Sequence, residues 1–161
     1  MLTLYLLRHA KASWGDATQP DLERTLTNQG RETCATIAEF IREKDIDFAH
    51  ILVSTAVRTR ETIELINDKA KLHCEVHYDE RIYEASVSQL LEIISEVDND
   101  RESVLLVGHN PGIEGLISLL TREQHHVPTA TFAKIKLETT KWSELLTSKG
   151  TLDWIVRPRE I

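Results

Sequence analysis

The sequence predicts a three-layer α/β/α sandwich with a mostly parallel central sheet. Short, branched apolar runs, typical of strands buried on both faces, alternate along the chain with segments that have apolar residues at i, i+3, i+4 and i+7. That second spacing is typical of an amphipathic helix. Alternation of strands and helices favours a parallel sheet covered by helices on both faces. At 161 residues the chain is long enough to bury a core, and we expect residues 1–161 to form a single domain.

Six strands are predicted, of which three lie at the centre of the sheet. The continuous apolar runs at residues 4–7, 51–53 and 104–107 are the predicted central strands. Residues 74–78 are less apolar and predict a peripheral strand. In residues 133–137 apolar positions alternate with two lysines, which indicates a strand with one face in water, and residues 152–156 close the set.

Four helices are predicted between these strands. Their apolar stripes are, in chain order, Cys34/Ile37/Ala38/Ile41, Thr59/Ile63/Ile66/Ala70, Val87/Leu90/Leu91/Ile94 and Ile113/Leu116/Ile117/Leu120. Thr27 is expected to cap the first helix, and Ser86 with Gln89 has the spacing of a capping box before the third. Asn110 followed by Pro111 predicts an N-cap with proline at the first position of the fourth helix.

The composition narrows the class of protein. A net charge of −7 argues against nonspecific binding to nucleic acid or to a membrane surface, both of which favour a basic protein. No apolar run approaches the roughly 20 residues that a membrane span needs, and the N-terminus lacks the flanks of a secretory signal. We therefore expect a cytoplasmic protein. Two cysteines without a CxxC pattern give little support to a structural zinc site.

Basic residues follow three of the predicted strands at the point where each strand ends. Arg8 and His9 follow the first strand, Arg58 lies in the first turn of the helix after the second, and His109 follows the strand at 104–107. If these strands are parallel neighbours, the four side chains gather at one edge of the sheet, beside a helix N-terminus that opens near Asn110. Guanidinium groups, imidazoles and free backbone amides favour an anion with several oxygens, such as phosphate.

The chemistry indicated by this set is phosphoryl transfer to a histidine without a metal or a cofactor. Neighbouring arginines lower the pKa of an imidazole and keep it neutral and nucleophilic. We predict His9 as the nucleophile, because it leaves its strand beside Arg8, whereas His109 lies where it can donate to phosphate. In-line transfer would keep the equatorial oxygens paired with Arg8, Arg58 and His109.

Five motifs in the chain resemble, in their order, those of the histidine phosphatase superfamily. They are Arg8-His9-Ala10, Leu26-Thr27-x-x-Gly30, Ser54-x-Ala56-x-Arg58-x-x-x-Thr62, Arg81-x-x-Glu84 and Gly108-His109-Asn110-Pro111. The resemblance implies a phosphoglycerate mutase-like fold in which His9 is phosphorylated. It also implies that Arg8, Arg58 and His109 bind the phosphate, and that Glu84 protonates the leaving group.

Further details are similar to the SixA-type phosphohistidine phosphatases. They are the run from Arg8 to Trp14, Pro128-Thr129 before a short strand, and the ending Trp154-Ile155-Val156-x-Pro158-Arg159. The stretch between Glu84 and Gly108 is too short for the lid segments of the mutases, and Gly15 stands near the position where the mutases have an asparagine. An uncovered pocket suits a phosphate on another protein, such as a histidine phosphotransfer domain.

Three functions from different classes remain open on the sequence. The first is a metal-independent phosphohistidine phosphatase, with a monomer favoured as the oligomeric state, that acts on a phosphorylated signalling protein. The second is a small-molecule phosphomonoesterase that uses the same residues and depends more strongly on Glu84. The third is a noncatalytic module that binds phosphohistidine and is never labelled on His9.

Overall fold

Six strands form one sheet in the computed structural model, which describes residues 1–158. In chain order they are β1 (Leu2–Arg8), β2 (His50–Val53), β3 (Val76–Tyr78), β4 (Ser103–Gly108), β5 (Phe132–Leu137) and β6 (Gly150–Val156). Their order across the sheet is β3-β2-β4-β1-β5-β6, with parallel pairing from β3 to β1. Among these six strands, β5 alone has the opposite direction, and it pairs antiparallel with both β1 and β6. The predicted mostly parallel sheet is confirmed, and the peripheral strand predicted at residues 74–78 is an edge strand that begins two residues later, at Val76.

Four α-helices flank the sheet: α1 (Asn28–Glu43), α2 (Val57–Ala70), α3 (Val87–Ser95) and α4 (Gly112–Thr121). Thr27 caps α1 by accepting a hydrogen bond from the backbone N–H of Gly30. Ser86 and Gln89 form the predicted capping box at α3. Within residues 1–158, no helix is long and apolar enough to cross a membrane. Arg159, the last residue of the ending that is similar to SixA-type phosphatases, lies outside the described part of the chain.

The start of α4 differs from the prediction. The helix begins at Gly112 and its N-cap is Pro111, one residue later than expected, and proline offers no side-chain acceptor. Asn110, one residue before the N-cap, supplies the missing side-chain acceptor. Its Oδ1 accepts a hydrogen bond of 3.2 Å from the backbone N–H of Glu114 in the first turn of the helix. Its Nδ2 donates to Val127 O at 2.9 Å, so Asn110 ties the helix entry to the loop before β5.

Two separate hydrophobic cores, one on each face of the sheet, explain why the central strands are continuous apolar runs in the sequence. Leu4 and Leu6 of β1 face a core shared with α3 and α4, whereas Tyr5 and Leu7 face a core shared with α1 and α2. Both faces of β1 are therefore buried, and its one charged residue, Arg8, stands where the strand ends. The predicted three layers are confirmed.

Candidate active site

The strand register brings three strand ends to one edge of the sheet. Arg8 of β1 lies beside Gly108 of β4, and Val53 of β2 lies beside Val107 of β4. Because the strands are parallel neighbours, the residues that follow them emerge side by side. The imidazole rings of His9 and His109 are accordingly 5.3 Å apart between centroids. Arg58, the second residue of α2, is close enough for its charge to lower the pKa of both rings.

The side chain of His9 is buried, and one of its two ring nitrogens is hydrogen-bonded to the protein. Its Nδ1 lies 2.7 Å from the backbone oxygen of Ala10. A carbonyl only accepts hydrogen bonds, so Nδ1 carries the proton and Nε2 presents a lone pair. Burial is the largest of the effects that lower the pKa of His9 to about 4; the charges of Arg58 and Arg8 act in the same direction, and the hydrogen bond to Ala10 opposes them. At neutral pH, His9 is therefore a neutral imidazole with a nucleophilic Nε2.

The pKa of His9 predicts how the expected phosphoryl transfer to this residue should depend on pH. The neutral imidazole is the reactive form, so we expect the rate to stay constant from neutral to mildly acidic pH and to fall as the pH drops through about 4. The measurement is single-turnover labelling of His9 by an aryl phosphate, corrected for the substrate's own ionisation. A fall in rate centred near the ordinary histidine pKa of about 6.5 would contradict it.

His109 is held in place by a hydrogen bond with a serine side chain. Its Nε2 lies 2.8 Å from Ser54 Oγ, and the edge of its ring packs against Tyr83 at a centroid distance of 5.6 Å. Burial, together with the nearby His9 and Arg58, lowers the pKa of His109 to about 3. His109 is therefore neutral too, so its ring can contact an anion through a hydrogen bond but not through charge.

Three buried nitrogens in this cluster, two of guanidinium groups and one of an imidazole, lack a hydrogen-bond partner. Among the described residues, the buried side-chain nitrogen and oxygen atoms without one are Arg8 Nε, Arg58 Nε and His109 Nδ1. The rest of each group is anchored: Arg8 Nη1 donates to Val127 O at 2.9 Å, and Arg58 Nη1 donates to Asp21 O at 2.8 Å. Native proteins rarely leave buried donors unpaired, because each one loses its bonds to water. Three of them around His9 fit an anion with three oxygens.

Asp21 is a member of the site that the sequence analysis missed. It lies in a short 3-10 turn, and its carboxylate accepts hydrogen bonds from Arg58 Nη2 at 3.1 Å and from the Tyr83 hydroxyl at 2.6 Å. The hydrogen bond from Tyr83, with one from Arg24, lowers the pKa of Asp21 to about 2 against the opposing effect of burial. Asp21 is therefore ionised, and it engages Nη1 and Nη2 of Arg58 while the buried Nε stays unpaired.

Glu84 and Asn110 occupy different places from the other predicted residues. Glu84 is exposed, has a left-handed backbone with φ of 57°, and directly follows Tyr83, which packs on His109. No hydrogen bond or ion pair holds its carboxylate among residues 1–158. Both ends of the Asn110 amide are bonded to protein, so a phosphate contact from this residue would come from its backbone N–H.

An open groove of about 680 Å³ leads from the surface to His9. Its basic side chains are Arg8, Lys11, Arg24 and Arg157, and no acidic residue lines it within the described chain. Trp14 at its rim is 86% exposed, and the Arg24 guanidinium lies 4.9 Å from the centre of its ring. The groove is thus a locally positive, uncovered entrance in a protein of net charge −7.

A sequence model of the histidine phosphatase superfamily, branch 1, matches residues 4–93. An uncharacterized chloroplastic protein of Arabidopsis thaliana is 28% identical over 160 residues, which cover 94% of this chain and 73% of that protein.

Two solved structures of similar size share the fold. A protein assigned as phosphohistidine phosphatase SixA from Nakamurella multipartitia has a TM-score of 0.82 at 28% identity, covering 98% of this chain and 96% of that one. A protein assigned as SixA from Agrobacterium tumefaciens has a TM-score of 0.85 at 26% identity, covering 98% of both chains. Their likeness confirms the predicted phosphoglycerate mutase-like fold.

Proposed function

The chain belongs to the histidine phosphatase superfamily and is a phosphatase, and we propose that it removes phosphate from phosphohistidine on a signalling protein through a covalent intermediate on His9. The observation that carries the proposal is the set of three unpartnered buried donors beside the nucleophilic ring: Arg8 Nε, Arg58 Nε and His109 Nδ1. Together they offer one donor for each non-bridging oxygen of a phosphoryl group.

In the first step, His9 Nε2 attacks phosphorus and the bond from phosphorus to the substrate's ring nitrogen breaks. The electron pair of that bond stays on the leaving imidazole, which departs neutral once its ring is protonated. The negative charge stays on the three oxygens, where Arg8, Arg58 and His109 donate to it, and this stabilises the transition state. In the second step, water attacks phosphorus and the bond from phosphorus to His9 Nε2 breaks. Its electron pair returns to Nε2, which restores neutral His9, and the protons of the water leave with the inorganic phosphate.

A protein substrate is supported by the shape and charge of the entrance. Between Glu84 and Gly108 the regular elements are α3 and β4 alone, so this stretch supplies no lid. The groove beside His9 is open, basic and edged by the exposed Trp14, which offers an aromatic surface next to the phosphate site. A phosphorylated histidine standing out from a folded partner, such as a histidine phosphotransfer domain, fits such an entrance.

The direct test is incubation of the protein with a histidine phosphotransfer domain carrying ³²P on its histidine, in the presence of EDTA. We expect release of inorganic phosphate and transient acid-labile label on this chain. Sugar and nucleotide phosphates are assayed in parallel at matched concentration. Faster turnover of these small esters than of the phosphoprotein would reject the proposed substrate class, whereas binding of the phosphoprotein without any label on His9 would reject the enzyme.

Replacement of Glu84 by glutamine separates the two substrate classes. An alkoxide leaving group needs a proton from a general acid, an effect of about 100-fold or more, whereas a neutral imidazole does not. We therefore expect Glu84→Gln to leave phosphohistidine turnover within about threefold of the wild type and to reduce turnover of an alkyl phosphate at least about tenfold. Glu80→Gln, on the preceding 3-10 turn, is the matched control. An equal loss on both substrates would contradict the assigned role.

A further inference from the structure

We propose that Ser54 is a positioning residue that holds His109 in the tautomer with its proton on Nδ1, so that this N–H donates to a phosphoryl oxygen. The tautomer follows from the hydrogen bonds around Ser54, whereas its use in catalysis rests on the function proposed above. Ser54 itself lies behind the His109 ring and would act on the substrate only through that ring.

The Ser54 side chain is held rigidly at the end of β2. The residue is fully buried, and its backbone N–H donates to Val107 O at 3.1 Å, which continues the pairing with β4. Its backbone oxygen accepts a hydrogen bond of 2.7 Å from Thr59 Oγ1 at the start of α2. The hydroxyl therefore leaves a fixed point of the backbone toward His109.

The hydrogen-bond partners of the hydroxyl determine which way its own proton points. Ser54 Oγ accepts from the backbone N–H of Ala56 at 3.3 Å, so one of its lone pairs is used. Its proton has a single acceptor within reach in the described chain, His109 Nε2 at 2.8 Å. The serine is therefore the donor and Nε2 the acceptor, which puts the proton of the neutral ring on Nδ1.

The opposite tautomer would leave two buried groups unsatisfied. If Nε2–H donated to Ser54, the serine proton would have no acceptor, and the lone pair of His109 Nδ1 would face the site with no donor. That lone pair would also repel the oxygens of a phosphoryl group. In the proposed tautomer the one unpaired atom is Nδ1–H, on the side of the ring opposite Ser54, where a phosphoryl oxygen can accept from it.

The tautomer is measured directly by ¹⁵N NMR of the wild-type protein labelled at histidine, with His109 assigned by its loss in His109→Asn. At neutral pH we expect a protonated nitrogen at Nδ1 and an unprotonated one at Nε2. In Ser54→Ala we expect the two tautomers to become mixed. A proton on Nε2 in the wild type would overturn the proposal. This readout needs no substrate, so it stands or falls independently of the phosphatase assay.

The catalytic consequence is tested by a double-mutant cycle on phosphohistidine turnover. We expect Ser54→Ala to lower kcat roughly tenfold, less than the 100-fold or more typical of removing an anion-stabilising donor outright. In a His109→Ala background the same change should have no further effect, because Ser54 acts through that ring. Ser54→Thr keeps the hydroxyl and should restore the Nδ1–H signal, and Ser103→Ala, at the start of β4, is the matched control. Additive losses in the cycle would overturn the positioning role.

Discussion

Replacement of His9 by alanine is expected to reduce phosphatase activity by at least about 1,000-fold and to abolish acid-labile labelling of the chain. The ring presents its Nε2 lone pair beside three donors, and it stays neutral because burial lowers its pKa to about 4. Without the ring, water would have to attack the substrate directly. The measurements are kcat/KM on a phosphorylated histidine phosphotransfer domain and the amount of phosphate bound to the protein after rapid quenching in alkali.

The control for this variant is His73→Ala, which removes an exposed imidazole outside the groove. Circular dichroism should show that both variants fold. Retention of labelling in His9→Ala would assign the covalent phosphate to another residue, with His109 the first candidate. Retention of activity without labelling would show that water attacks the substrate directly.

Replacement of Arg58 by alanine is expected to lower kcat/KM by about 100- to 1,000-fold, the loss typical of removing a donor that stabilises transition-state charge. The guanidinium is buried, and its Nε is one of the unpaired donors. Lysine is not expected to substitute for it, because an ammonium lacks the planar set of donors that lets Arg58 bond Asp21 through Nη1 and Nη2 and still offer Nε to the phosphate of the proposed mechanism. The measurement is kcat/KM together with the affinity for tungstate, an analogue of phosphate.

Arg60 provides a matched control on the same helix. Two positions along α2, its guanidinium donates to Thr55 O and lies over the ring of Tyr78, away from His9. We expect Arg60→Ala to change activity less than about threefold while lowering stability slightly, as expected for a lost cation–π contact. Equal losses in Arg58→Ala and Arg60→Ala would indicate that α2 acts through general stability rather than through a specific donor.

The parts of the fold that depend on local periodicity were predictable from the sequence. The stripe from Cys34 to Ile41 and the run at 104–107 had one reasonable interpretation each, because their spacing matches a buried helix face and a strand buried on both sides. The gathering of Arg8, His9, Arg58 and His109 followed from one topological rule for parallel strands. Even so, the start of α4 was misplaced by one residue, since Pro111 takes the capping position itself.

Individual side-chain hydrogen bonds between distant segments were not predictable. Asp21 is adjacent in space to Arg58 and Tyr83, from which it is 37 and 62 residues distant along the chain. The one local sequence signal that Asp21 is paired with a cation was its spacing from Arg24, with which it forms an i,i+3 ion pair. Ser54 stood in a recognised motif, yet its hydrogen bond to His109 spans 55 residues and depends on the register of β2 against β4.

The pairing of β1 with β4 also has a consequence for how the protein acquires activity during folding. Arg8, His9 and Arg58 lie in the first part of the chain, but His109 reaches them only when β4 inserts between β1 and β2. A nascent chain whose β4 and start of α4 have not yet emerged from the ribosome therefore lacks His109 at the site. His109 is also the hydrogen-bond partner of Ser54. Contacts of such long sequence separation form slowly, because the entropy of closing the intervening chain opposes them. Catalytic activity should thus appear in a single step with completion of the sheet, and denaturant should remove both together.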